Sequence, residues 1–178
     1  MRAVFLDRDG VINIYRDEYV RTLADFEYYP ETAAAFAVLG ALGMPIVVVT
    51  NQSALARGYT TLADVEAIHA RLRADAASWG ARIAAIEFCP HLPDDHCRCR
   101  KPRTLMFERA AARLALSLPG SYMVGDAPSD MEAGRALNMI TLRVASGRGS
   151  GPVSAHEDMR EPTLLAAARR IAQLEHAN

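Results

Sequence analysis

The strongest constraint on this chain is the regular alternation of short, continuous apolar runs with longer stretches of helical periodicity. Ala3 to Leu6, Pro45 to Val49, Ile83 to Phe88, Ser121 to Val124 and Met139 to Val144 read as strands. The run PIVVV is continuous and, after Pro45, β-branched, as expected of a strand buried on both faces. Thr32 to Leu42, Leu62 to Trp79, Leu105 to Leu116, Ser129 to Leu137 and Thr163 to His176 read as helices. Gly43 and Gly80 stand where two of them should stop, and Thr61 stands where one should be capped. Strand and helix in repeated turn imply an α/β chain, Rossmann-like, with a central parallel sheet covered by helices on both faces.

The 178 residues, 51% of them hydrophobic, suffice for one substantial core, so 1–178 reads as a single domain. Asn13 to Tyr29 mixes aromatic and charged residues and reads as a flap over the sheet edge, too short for a large cap domain. Ser146 to Gly151 reads as a mobile Gly-rich loop.

Lys+Arg number 20 against 21 for Asp+Glu, and this lack of a basic surplus argues against a nucleic-acid partner. No apolar run approaches the roughly 18 to 20 residues of a membrane span, and no signal peptide is evident, so a cytoplasmic protein is expected. Cys89, Cys97 and Cys99 are the 3 cysteines, and an odd count without an export signal favours metal binding or reactive thiols over disulfides.

In an open parallel sheet, ligands bind beyond the carboxyl ends of the strands. There this sequence places Asp7-Arg8-Asp9-Gly10, Thr50-Asn51-Gln52-Ser53 and Gly125-Asp126, with Asp130 following. Carboxylates converging at one point need a cation between them, and a small set of oxygen ligands suits Mg²⁺. One carboxylate can attack phosphorus to form an aspartyl-phosphate, and a second, two residues on, can protonate the leaving oxygen and then activate water. A hydroxyl and an ammonium must hold the phosphoryl oxygens as charge spreads over them, and Thr50 and Lys101 fit those parts. Lys101 is the only lysine in the chain, so its place here is informative.

FLDRDGVIN, TNQSALARG, CRKP and VGDAPSDM, in that order, resemble the motifs of the haloacid dehalogenase superfamily of phosphatases, a likeness running from about residue 3 to residue 145. The resemblance implies that Asp7 is the nucleophile, Asp9 the general acid/base, and Thr50 and Lys101 the phosphoryl stabilisers. It implies Mg²⁺ held by the side chains of Asp7 and Asp126 and by the backbone carbonyl of Asp9, with Asp130 orienting the metal's surroundings.

Cys89, His91, Cys97 and Cys99 form the pattern C-x-H-x5-C-x-C, a Cys₃His set that suits structural Zn²⁺. His96 is a rival ligand, but His91 pairs with Cys89 as Cys97 pairs with Cys99. A zinc loop over 89–101 would fix Arg100 and Lys101. Within the superfamily this spacing is similar to the branch holding D-glycero-D-manno-heptose 1,7-bisphosphate phosphatases and the histidinol-phosphate phosphatases, and TNQSALARG tilts it towards the former. That resemblance implies removal of the 7-phosphate of the heptose bisphosphate, with Asn51, Gln52, Ser53, Arg57 and Arg100 on the substrate side. Tyr15 to Tyr19 could touch the sugar. Many heptose enzymes carry Lys where this chain has Ala127. The alternatives are a histidinol-phosphate or other small-metabolite phosphatase and, from another class, a catalytically silent zinc-bearing interaction module, against which the intact motif set argues. The expected partner is a small phosphorylated metabolite, acted on by a monomer.

Overall fold

β-Branched and aliphatic residues form the middle of the sheet and fix its register. The computed structural model describes residues 1–153 and 155–177. Its strands are β1 (Val4–Leu6), β2 (Ile46–Asn51), β3 (Ile83–Cys89), β4 (Tyr122–Gly125), β5 (Ile140–Val144) and β6 (Met159–Glu161). They lie in the order β3-β2-β1-β4-β5-β6, each parallel to its neighbours. The helices are α1 (Thr32–Ala41), α2 (Leu62–Ser78), α3 (Leu105–Leu114), α4 (Pro128–Ala136) and α5 (Leu164–His176).

Side chains leave the sheet on alternate faces, which builds two cores. Val4 and Leu6 pack with Phe36 and Leu39 of α1, Leu72 of α2 and Ile171 of α5. Phe5, Val47 and Val49 face the other way, against Met106 and Phe107 of α3 and Met131 of α4. The Phe5 and Phe107 rings stand 5.4 Å apart. Burying each such side chain contributes about 1.5–3 kcal/mol, which is what holds helices to both faces.

Helix boundaries follow local chemistry. The Thr61 hydroxyl accepts from the Asp64 N–H at 3.1 Å and the Asp64 carboxylate accepts from the Thr61 N–H at 3.3 Å, a reciprocal cap for α2. Gly80, at φ +82°, lies just beyond its end.

β1 lies centrally, with β2 and β3 laid outwards on one side and β4, β5 and β6 on the other. Leu6 is level with Val48 and Val124, so the chain leaves β1, β2 and β4 at one end of the sheet, and the crevice between β1 and β4 is the switch point.

Two features depart from the sequence reading. β6 is an additional strand whose three residues, MRE, carry no apolar run; it is held by pairing with β5 and by the 3.0 Å Glu161–Arg170 ion pair. The segment from Asn13 to Tyr29 reaches further than a cover for the sheet edge, into the site itself. Its Tyr15, Arg16, Tyr19 and Val20 line the cavity at the carboxyl ends of the strands, and it is tied to that end by bridges from Asn13 to Asp9 and to Tyr28.

Candidate functional site

The residue after β1 is Asp7, and the residue after β4 is Asp126. The Asp7 N–H donates to the Val124 carbonyl at 2.9 Å, fixing the two strand ends to one another. Asp130, in the first turn of α4, completes a group whose oxygens lie within 4.8 Å of one another. Lys101 bridges this group. Its Nζ stands 2.9 Å from Asp7 Oδ1 and 2.6 Å from Asp130 Oδ1, and donates to the Val49 carbonyl at 2.8 Å.

Electrostatics here follow from burial. Desolvation, with the Asp130 and Asp126 charges added, pushes the Asp7 carboxyl up to about 8 although Lys101 opposes it. Burial and Asp130 push Asp126 up to about 6. Burial works against the Lys101 ammonium, but Asp130 and Asp7 outweigh it and hold the group charged. A carboxylate cluster that takes up protons in this way has room for positive charge among its oxygens. Its all-oxygen donor set fits Mg²⁺ rather than a softer ion.

Glycines keep the floor of the site open. A Cβ at Gly10 (φ +89°) or at Gly147 (φ +58°) would run into the Asp126 carboxylate. The Ser146–Gly151 loop, read from sequence only as mobile, thus packs against the site. The Ser146 hydroxyl donates to the Gly10 carbonyl at 2.7 Å and the Arg148 N–H donates to Asp126 Oδ2 at 2.7 Å.

Asp9 turns away from the acid cluster. Its carboxylate takes two bonds from Arg8 Nη2, at 2.8 and 2.9 Å, one from Asn13 Nδ2 at 2.9 Å and one from Gln52 Nε2 at 2.7 Å. Burial would raise its pKa, but the Arg8 charge and these hydrogen bonds bring it below the ordinary value. Arg8 itself is fully buried, with its Nη1 3.5 Å from His69 Nε2. Burial, with Arg8 beside it, pushes His69 down to about 3 and keeps it neutral.

Every sequence-predicted residue of the phosphoryl site, Asp7, Asp9, Thr50, Asn51, Gln52, Ser53, Arg57, Arg100, Lys101 and Asp126, lines one cavity of about 340 Å³. Not all of them point their chemistry into it. Asn51 Oδ1 accepts from the Lys101 N–H at 3.0 Å and its Nδ2 donates to the Lys101 carbonyl at 3.3 Å. Gln52 donates to Thr50 Oγ1 at 2.9 Å as well as to Asp9. Arg57 is exposed, and Arg100 donates to the His91 carbonyl at 3.3 Å. Sequence reasoning missed Arg8, whose neighbours arrive from distant segments, and Arg148, hidden in a stretch remarkable only for glycine.

Beside this cavity, Cys89, His91, Cys97 and Cys99 offer four ligand atoms within 4.8 Å of one another, and His96 is not among them. The cysteines are free thiols. Their sulfur separations are 3.2 Å (Cys89–Cys99), 3.5 Å (Cys89–Cys97) and 3.6 Å (Cys97–Cys99), with His91 Nδ1 3.3 Å from Cys99. Zn–S bonds of about 2.3 Å in a tetrahedron give sulfur edges of about 3.8 Å, so a small outward relaxation accommodates the ion. The fit to Zn²⁺ is good. Cys99 lies two residues before Lys101 and Cys89 ends β3, so this cluster closes the loop that carries the ammonium.

Residues 98–171 match the HAD-hydrolase-like family model. The chain is 43% identical over 165 residues to the D-glycero-beta-D-manno-heptose-1,7-bisphosphate 7-phosphatase of Pseudomonas putida, covering 93% of each chain. It is 43% identical over 146 residues to the protein of the same name from Pseudomonas aeruginosa, covering 82% of each. Among solved structures, D,D-heptose 1,7-bisphosphate phosphatase from B. bronchiseptica, complexed with magnesium and phosphate, superposes with a TM-score of 0.90 at 34% identity, over 98% of this chain and 99% of that one.

Proposed function

Because this chain belongs to the haloacid dehalogenase-like phosphatases, we propose that it removes the 7-phosphate of D-glycero-D-manno-heptose 1,7-bisphosphate with Asp7 as nucleophile. The observation that carries this reading is the Lys101 ammonium seated between Asp7 and Asp130, with Asp126 beside them. A nucleophilic carboxylate, a fixed cation and further carboxylates then meet at one switch point. The names of the relatives supply the sugar.

Asp7 and Asp126, with the Asp9 carbonyl, would hold Mg²⁺, with Asp130 beside them. When bound, Mg²⁺ neutralises the carboxylates and the phosphoryl oxygens, so that Asp7 is ionised at neutral pH. Cys89, His91, Cys97 and Cys99 would hold a structural Zn²⁺.

In the first half-reaction a carboxylate oxygen of Asp7 forms a bond to phosphorus as the bond from phosphorus to the sugar oxygen breaks. That oxygen takes its proton from the Asp9 carboxyl. In the second, the Asp9 carboxylate takes a proton from water, whose oxygen attacks phosphorus and releases Asp7 and inorganic phosphate. Thr50 and Lys101 hold the phosphoryl oxygens through both steps. Asp9 is held ionised by Arg8, which suits the water-activating half, so donating a proton requires its carboxyl to turn from Arg8 towards the leaving oxygen.

The test is magnesium-dependent phosphate release from heptose 1,7-bisphosphate and from histidinol phosphate, with Asp7→Asn as the blank. Preference for the bisphosphate supports the reading. Preference for histidinol phosphate replaces the substrate, and release equal to the blank on both removes the heptose assignment.

A further inference from the structure

A further cation faces the cavity from a loop that no motif covers. Arg148 follows β5, at the same end of the sheet as Asp7 and Asp126, and lines the cavity with them. Its backbone is pinned twice. The N–H donates to Asp126 Oδ2 at 2.7 Å, and the carbonyl accepts from Arg143 Nη2 at 3.3 Å. Arg143 is buried, and it also donates to the Asp126 and Pro152 carbonyls, at 3.1 and 2.9 Å. The loop is thereby built onto the acid cluster, and the Arg148 side chain starts from a fixed root.

The Arg148 guanidinium lies 4.5 Å from the centre of the Tyr15 ring and donates to the Tyr15 hydroxyl at 2.6 Å. Tyr15 belongs to the flap, so the two segments meet across the mouth of the cavity. Of the other cations lining the cavity, Lys101 is committed to Asp7 and Asp130, Arg16 to Glu27 at 3.4 Å and Arg100 to the His91 carbonyl at 3.3 Å, while Arg57 is exposed on the loop after β2, away from the flap contact that Arg148 makes with Tyr15. Among the described residues Arg148 forms no salt bridge. A guanidinium carries five N–H donors, and Tyr15 takes one, which leaves a planar fork suited to a phosphate. The position after Asp126 is Ala127 followed by Pro128, so α4 offers no cation there.

We propose that Arg148 binds the phosphate of the substrate that is not transferred, from the flap side of the cavity. The phosphoryl group attacked by Asp7 is served from below by Thr50 and Lys101, which are 1% and 4% exposed, whereas Arg148 is exposed at the rim. That division places a reacting phosphate at the floor and a second anionic group at the mouth. Tyr15 holds the guanidinium over the mouth before substrate arrives, which reduces the ordering cost of binding.

This inference rests on the bisphosphate reading. Its test compares kcat/KM of the magnesium-loaded enzyme on the sugar 1,7-bisphosphate and on the matching 7-monophosphate, for wild type, Arg148→Gln, Arg148→Lys and Tyr15→Phe. The wild type is expected to prefer the bisphosphate. Arg148→Gln should shrink that preference at least about tenfold, mainly through KM, because a charged contact is lost. Arg148→Lys should restore part of it, and Tyr15→Phe should shift it in the same direction by less. An unchanged preference in Arg148→Gln, or equal losses on both substrates, overturns the assignment while leaving the bisphosphate reading intact. A wild type without the preference removes both, and is recognised from the wild type alone.

Discussion

Asn51 grips the backbone of Lys101 on both sides, accepting from its N–H at 3.0 Å and donating to its carbonyl at 3.3 Å. The side chain that reaches Asp7 is thus positioned by a residue at the end of β2, the strand beside it. Asn51→Ala should therefore lower kcat by about ten- to a hundredfold, the scale of an ångström-sized misplacement of a catalytic group. Steady-state kinetics with a melting curve as control check this, and a kcat within twofold of wild type would sink it.

The carboxylate cluster predicts a linkage between pH and magnesium. Asp7, pushed up to about 8, and Asp126, pushed up to about 6, start from an ordinary value of 3.8. Groups raised on folding contribute stability that is fully present below the unfolded pKa and is lost as pH rises through the folded one. In chelator the melting temperature should therefore fall between about pH 4 and pH 8, and added Mg²⁺ should stabilise the protein more at pH 8 than at pH 5.5. A magnesium shift independent of pH would contradict it.

Arg8 offers a different measurement. Its charge is fully buried and answered mainly by Asp9. Arg8→Met should destabilise the fold by about 2 kcal/mol, less than for a wholly buried pair because Asp9 is partly exposed. It should also raise the pKa of Asp9, so that the stability Asp9 contributes is lost at a higher pH as the solution is acidified. Chemical denaturation across pH 3 to 6 reads both effects, and an unaltered acid limb would count against the pairing.

Metal analysis should find one zinc per chain, bound in the Cys89, His91, Cys97, Cys99 cluster. Cys99→Ser should lose it, and activity should fall about tenfold or more because Lys101 lies two residues away. Full activity in zinc-free protein would show that the loop holds its shape unaided.

Much of the arrangement is legible in the sequence, for identifiable reasons. Asp7 and Asp126 end continuous apolar runs, and a carboxylate where a buried strand stops is conspicuous. The Cys₃His spacing is equally local, and His91 rather than His96 joins the cluster. What escaped depends on distant segments. Arg8 reads as a residue between two aspartates until Gln52 and His69 arrive beside it from other parts of the chain. Asn51 and Gln52 line the cavity as expected, but their amides are committed to Lys101 and Asp9, which no local pattern reveals. Arg148 lies in a loop whose glycines suggest only freedom, although one of them is glycine because Asp126 leaves no space for a side chain. β6 is specified by backbone pairing at the rim of the sheet and by surface ion pairs, so hydrophobic patterning cannot show it.

The strand order β3-β2-β1-β4-β5-β6 has a consequence for how the protein comes into being. Asp7, Thr50, Lys101, Asp126 and Arg148 come from separate stretches of the chain, joined by crossovers that must all be closed before the five residues meet. Parallel pairings of this kind form late, because each encloses a long loop. A nascent chain still lacking β4 and the segment beyond it thus has no assembled centre, and β1 has no neighbour on one side. During synthesis the protein is an unfinished sheet with an open edge, and catalytic competence arrives together with the closing of that edge.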